Sequence, residues 1–343
     1  MSNFENKFRG CLIGGAVGDA LGYAVEFMNE NEIFSKYGER GITEYSITRG
    51  TALISDDTQM TMFTAAALID GANSGNFEES ISHGYLAWYQ TQTGNFAKTN
   101  DNSKINELLN ISELYSRRAP GITCLSALGS GKIGIIENPI NNSKGCGGVM
   151  RVAPIGLMFA NGSFPQVAQN EIDMLGAKAA AITHGHELGY IPAAALVHII
   201  NFLVRHDRYT IIDAVAESVL AMHKLFGDTE NVKFFHKLME RSVELAENGT
   251  DDLTAIHQLG EGWVAEETLA IAVYCAVKYK NDFEKAICAA VNHNGDSDST
   301  GAVCGNILGT VLGYEKIPQK FKENLEFHDT LLDLADELLI CSR

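Results

Sequence analysis

Gly10-Cys11-Leu12-Ile13-Gly14-Gly15-Ala16-Val17-Gly18-Asp19-Ala20-Leu21-Gly22 packs five glycines into one short apolar stretch, with Asp19 between them. The apolar spacing is helical, yet glycine inside a helix costs about 1 kcal/mol relative to alanine. Five of them need a reason. Either another helix approaches this one very closely, or a ligand interrupts it. Glu26, just beyond Gly22, then stands near the end of a segment that lines a site, the alternative being a solvated surface glutamate.

Outward from this stretch, most of the chain reads as helix. Residues 176–182, 190–204, 211–225, 231–246, 264–277, 283–291 and 325–339 carry apolar side chains at threes and fours. Alanine runs such as Ala177-Lys178-Ala179-Ala180-Ala181 suggest close helix packing. Strand signals are few, the best being residues 42–47. The expectation is an all-α globule without internal repeats.

Two clusters carry the chemistry. Asn294-Gly295-Asp296-Ser297-Asp298-Ser299-Thr300-Gly301 sets two carboxylates and hydroxyls on a glycine-bounded turn before an apolar run. Ser55-Asp56-Asp57-Thr58 opens another. Side chains two apart on a helix point roughly 200° apart at about 100° per residue, so Asp296 and Asp298 converge only from the turn that precedes one. Oxygen donors without histidine or cysteine suit Mg²⁺ or Mn²⁺ rather than zinc. Each cluster alone also reads as an ordinary N-cap; the pair suggests a paired metal centre. Because the clusters lie at opposite ends of the sequence, a shared site requires residues 1–343 to fold as one domain.

Between them, Ser143-Lys144-Gly145-Cys146-Gly147-Gly148-Val149-Met150-Arg151 is a glycine-rich loop running into an apolar segment. Bare N–H groups there can cradle a diphosphate, although no strand precedes the loop and a plain turn is the simpler reading. In Thr183-His184-Gly185-His186, His184 is taken as a polar contact to substrate and His186 is left unassigned; a histidine satisfied at a helix end is the alternative for both. His293 is a candidate for bracing the acidic turn from behind.

A formal charge of −17 argues against nonspecific binding to nucleic acid or anionic membranes. Long-range steering of an anionic substrate is excluded with it, so recognition must be local. Residues 1–8 lack a cationic segment followed by an apolar core, and no uninterrupted apolar stretch approaches the roughly 20 residues of a membrane span. Seven scattered cysteines without a CxxC pair fit reduced thiols in a cytoplasm.

In this order, the pieces resemble the ADP-ribosylglycohydrolase family, which includes dinitrogenase reductase-activating glycohydrolases and ADP-ribosylarginine hydrolases. The resemblance runs from Gly10 to Ser299 and implies an all-α orthogonal helical bundle with two Mg²⁺ or Mn²⁺ ions in an ADP-ribose cleft. It implies Ser55, Asp56, Asp57, Asp296, Asp298 and Ser299 as metal ligands and Glu26 as the catalytic residue. By the same resemblance Gly145, Cys146, Gly147, Gly148, Val149 and Met150 hold the diphosphate and distal ribose, with His184 contacting ADP-ribose. Five converging carboxylates would repel and take up protons unless cations compensate them.

The function so implied is hydrolysis of the bond between ADP-ribose and a modified protein side chain, arginine first, by a monomer. O-linked ADP-ribose (serine, O-acetyl-ADP-ribose) or ADP-ribosylated nucleic acid is the second reading, and a silent ADP-ribose binder the third. Asp101 has no secure counterpart among arginine-specific relatives, and Cys146 occupies a variable position, so the linkage stays open at this point.

Overall fold

A computed structural model describes residues 1–162 and 164–343. The described residues form seventeen α-helices and one two-stranded hairpin. The first half holds α1 (Asn3–Tyr23), α2 (Glu30–Tyr37), α3 (Asp56–Ser74), α4 (Phe77–Thr93), α5 (Lys104–Leu109), α6 (Ile122–Gly129), α7 (Ala153–Met158) and α8 (Gln169–Ala181). The second holds α9 (Glu187–Arg205), α10 (Ile211–Phe226), α11 (Glu230–Glu247), α12 (Asp252–Leu259), α13 (Ala265–Lys278), α14 (Phe283–Val291), α15 (Ser297–Leu312), α16 (Gln319–Lys322) and α17 (His328–Cys341). The expected all-α class is what the structure shows.

The glycines of α1 serve close approach. A Cβ on Gly10 would lie 2.2 Å from Gly309 O, on Gly14 2.3 Å from Gly305 O, on Gly18 1.9 Å from Gly301 O and on Gly22 2.2 Å from Ser297 O. As α1 residue numbers rise by four, their α15 partners fall by four, so the helices run antiparallel with backbones touching along their length. This contact sets the start of α15, with Asp296 and Asp298, beside the end of α1, with Asp19. A single buried cluster of apolar side chains extends from Phe8 to Leu339 and takes in both helices.

Of the expected strand at 42–47, only Ile47 is in a strand. The hairpin pairs β1 (Ile47–Thr48) with β2 (Thr51–Ala52) around Arg49 and Gly50, both at positive φ. Upstream, side chains satisfy the backbone: Ile42 N–H donates to Asn292 Oδ1 (2.7 Å) and Asn292 Nδ2 donates to Ile42 O (2.9 Å). With its groups so engaged, Ile42 has no need of a ladder partner. The last helix also begins later than the apolar pattern suggested, at His328, because Phe327 adopts a left-handed conformation (φ 58°).

One helix is apolar on average although polar residues such as His198 and Asn201 interrupt it. Helix α9 has 19 residues and a mean hydropathy of 1.6, enough by length and composition to cross a membrane. In the fold it is a core helix, with 89% of that window buried inside the protein.

Candidate functional site

Ser55 caps α3: its Oγ accepts from Asp57 N–H (3.2 Å), leaving Asp56 and Asp57 in the first turn. Asp56 is tied at both ends, its N–H donating to Arg118 O (3.0 Å) and its Oδ2 accepting from Gly121 N–H (3.2 Å). Asp296 caps α15, and its N–H donates to Glu261 O (2.8 Å). Gly295 before it has φ 114°, and a Cβ there would meet Glu261 O at 2.0 Å, so only glycine closes this turn. Asp298 sits in the first turn and accepts from Ser299 N–H (2.9 Å). One carboxylate from the cap and one from the first turn thus converge, as the spacing required.

Glu26 completes the group. One carboxylate oxygen from each of Glu26, Asp296 and Asp298 lies within 4.8 Å of the others. Asp56 and Asp57 line the same cleft, of about 510 Å³, together with Gly145, Cys146, Gly147, Met150 and His184. Glu26 Oε2 and Asp57 Oδ2 are buried without a hydrogen-bond partner, an arrangement that is costly unless something else satisfies them.

Burial, with the Asp298 charge second, pushes Asp56, Asp57 and Asp296 well above the usual carboxylate range and Glu26 to about 11. Such a cluster holds protons or cations. The donors that line the cleft are carboxylate oxygens, so the residues present fit a hard divalent ion. Ser55 and Ser299 are fully buried behind the carboxylates and do not reach the cleft wall. Ser55 Oγ accepts the cap hydrogen bond with one lone pair and its proton left over, and Ser299 Oγ faces Met150 Sδ at 3.9 Å.

Asp19 ties α1 to the start of α3, a role the sequence did not reveal. Its carboxylate accepts from Ser55 N–H (2.9 and 3.1 Å), Thr58 N–H (3.0 Å) and the Thr58 hydroxyl. Burial and then the Asp298 charge raise it to about 7. Its place among the glycines of α1 was the only local signal.

The glycine loop differs from a row of bare donors. Gly145 N–H donates to Ser143 Oγ (3.3 Å), Cys146 N–H to Trp263 O (3.2 Å), and Val149 and Met150 N–H both to Cys146 O. The loop is stitched instead to the segment before α13, through the Gly145–Val264 bridge. Gly148 and Val149 face inward, a Cβ on Gly148 falling 2.9 Å from Ala180 Cβ, and neither lines the cleft. Gly147 is where His184 and Cys124 come close, at 2.9 and 2.8 Å from a Cβ placed there. Trp263 was missed by sequence reasoning. Its ring stacks on Phe27 (6.3 Å, 21°) at the cleft mouth, where both are exposed.

His184 lies in the cleft wall; burial, then the Arg151 charge, holds it at about 3 and therefore neutral. His186 is the N-cap of α9, its Nδ1 accepting from Leu188 N–H (3.0 Å). His293 braces the acidic turn from within, between Asn294 O (2.7 Å), Ala290 O (2.9 Å) and Thr300 Oγ1 (3.0 Å). Asp101 is exposed, accepts from Ser103 N–H and Asn106 Nδ2, and does not line the cleft.

The sequence model of the ADP-ribosylglycohydrolase family matches residues 1–343. The chain is similar to ADP-ribosylhydrolase ARH3 of Mus musculus (23% identical, covering 97% of this chain and 91% of that one). It is also similar to ADP-ribosylarginine hydrolase Tri1 of Serratia proteamaculans (22% identical, covering 97% and 79%). A solved ADP-ribosylglycohydrolase-related protein complex superposes over the whole of both chains with a TM-score of 0.65 at 20% identity, a likeness of fold. A helical scaffold built on one glycine seam, an acidic cluster gathered from α1, α3 and α15, and a family match over the full length lead to one conclusion: the chain belongs to the ADP-ribosylglycohydrolase family.

Proposed function

We propose that this protein hydrolyses the glycosidic bond joining ADP-ribose to an arginine side chain of a modified protein. The convergence of Glu26, Asp296 and Asp298, with Asp56 and Asp57 in the same cleft, is the observation that carries this reading. The arginine linkage is supported by the similarity to a relative named for ADP-ribosylarginine.

Asp56, Asp57, Asp296 and Asp298 would hold two Mg²⁺ or Mn²⁺ ions, with Ser55 and Ser299 behind them. Bound there, the ions supply charge compensation and orient ribose hydroxyls and water. Glu26 takes the proton from the attacking water as it adds to the anomeric carbon and returns a proton to the departing guanidine nitrogen. In this reading His184, which lies beside Gly145 and Gly147 in the cleft, contacts the diphosphate. Exposed Phe27, Ile122 and Trp263 at the mouth offer apolar surface to the modified protein.

Because the site draws on both ends of the sequence, residues 1–343 act as one domain in this reading, and a monomer suffices. The seven free cysteines support a reducing, cytoplasmic setting.

The test is release of ADP-ribose from matched arginine-, serine- and aspartate-linked peptides, with and without EDTA. Release from arginine alone, abolished by chelation, is the expected result. Release from serine alone overturns the arginine assignment, and chelator-resistant release overturns the role given to the ions.

A further inference from the structure

Arg151 is fully buried with its Nε unpartnered, and among the described residues no carboxylate pairs with it. Its guanidinium lies over the Tyr85 ring (4.0 Å) and donates to Ala179 O (3.0 Å) and Thr183 Oγ1 (2.7 Å). A guanidinium has donors only, so the Thr183 oxygen is the acceptor in that contact. The hydroxyl keeps one proton to give. Its two acceptors are His184 Nδ1 at 2.8 Å and Ala180 O at 3.5 Å, the latter at the limit of a hydrogen bond. The shorter contact takes the proton, which makes Nδ1 a lone-pair acceptor. The opposite tautomer would bring an imidazole N–H and the guanidinium onto one oxygen and force the hydroxyl onto the long contact.

The other ring nitrogen faces the glycine loop. Cβ atoms placed on Gly145 and Gly147 would stand 3.2 and 3.4 Å from His184 Nε2. No described residue accepts a hydrogen bond from Nε2. Gly145, Cys146, Val149 and Met150 spend their own N–H groups within the protein, so an anion resting on this loop finds few backbone donors there and gains from one supplied by Nε2.

We propose that Arg151 and Thr183 are positioning residues that fix His184 in the Nε2–H tautomer, so that the ring presents one neutral N–H donor to a phosphate oxygen of a nucleoside diphosphate. The ligand class rests on the function proposed above; the tautomer does not. Which nitrogen carries the proton is set by the bond the other one makes, and here that bond is made by a hydroxyl whose direction Arg151 dictates.

The experiment uses the full chain loaded with Mg²⁺ and labelled with ¹⁵N-histidine, with His184 assigned through His184→Gln. Long-range ¹H–¹⁵N correlation should show Nε2 protonated and Nδ1 unprotonated. Thr183→Val should release the ring toward the Nδ1–H form and weaken ADP-ribose binding roughly tenfold, the scale of one hydrogen bond to a charged group. Thr183→Ser should restore both. An Nδ1–H signal in the unaltered protein overturns the proposal, as does Thr183→Val with tautomer and affinity unchanged. Should Thr183→Val fail to fold, the unaltered and Thr183→Ser spectra still decide. An Nε2–H tautomer in a protein that does not bind ADP-ribose supports the positioning role while removing the proposed function.

Discussion

Gly18 and Gly301 face each other so closely that a Cβ on Gly18 would lie 1.9 Å from Gly301 O, and one on Gly301 2.5 Å from Gly18 O. Backbone meets backbone here, with no side chain able to swing aside. Asp19 follows Gly18, and Asp296 and Asp298 precede Gly301 by one turn, so the seam that holds the fold also sets the carboxylates.

Gly18→Ala should therefore destabilise the protein by about 3 kcal/mol or more, despite the ~1 kcal/mol that alanine gains in helix propensity. Gly15→Ala should cost less, because its Cβ meets the side-chain amide of Asn306 rather than backbone. Denaturant midpoints compare the two; a Gly18→Ala protein as stable as Gly15→Ala contradicts the seam.

Asp19→Asn should loosen the start of α3 without touching the cleft surface. The amide keeps one acceptor oxygen where the carboxylate offers two to Ser55 N–H, Thr58 N–H and the Thr58 hydroxyl. Divalent-cation affinity should fall roughly tenfold, in line with a lost charge-assisted hydrogen bond. Calorimetric titration with Mn²⁺ measures it, and an unchanged affinity denies Asp19 the bracing role.

The helical class was legible because most helices carry a continuous apolar face, and the acidic clusters because each sits at a helix start, where local pattern and local geometry coincide. Asp19 was not, since its partners Ser55 and Thr58 lie in another helix and only the seam brings them near. Trp263 reaches the cleft through pairing of its segment with the glycine loop, a contact no local pattern encodes. That same pairing takes up the Cys146 N–H, one of the donors the loop was expected to leave bare. The strand at 42–47 failed for a similar reason: Asn292, some 250 residues away, satisfies Ile42.

Removing divalent cations should make stability fall as pH rises above neutrality. Folded Asp19 and Glu26 hold protons to about 7 and about 11, against ordinary values of 3.8 and 4.5. Between those limits the folded chain binds more protons than the unfolded one, so unfolding becomes easier with each increment of pH. His184, at about 3 against 6.5, acts oppositely and only below about 6.5. From about pH 7 to about pH 8 the carboxylates set the slope, and above that the buried thiols, raised from 9.0, add to it in the same direction. Thermal unfolding in EDTA should show Tm declining across this window, and Mg²⁺ should flatten it; a level curve in EDTA contradicts the cluster's electrostatics.

Glu26→Gln separates proton transfer from binding. The amide matches the carboxylate in size and fills the same buried space, but it neither takes a proton nor carries charge. Turnover of ADP-ribosyl-arginine peptide should drop about 100-fold or more, the usual weight of a positioned general base, while ADP-ribose affinity stays within about threefold of the unaltered protein. Loss of both together would mean that Glu26 serves chiefly to hold the cations, for its carboxylate lies within 4.8 Å of Asp296 and Asp298. Cation titration of the same variant distinguishes the cases: a proton-transfer residue leaves the Mn²⁺ isotherm nearly in place, whereas a ligand shifts it as its charge is lost.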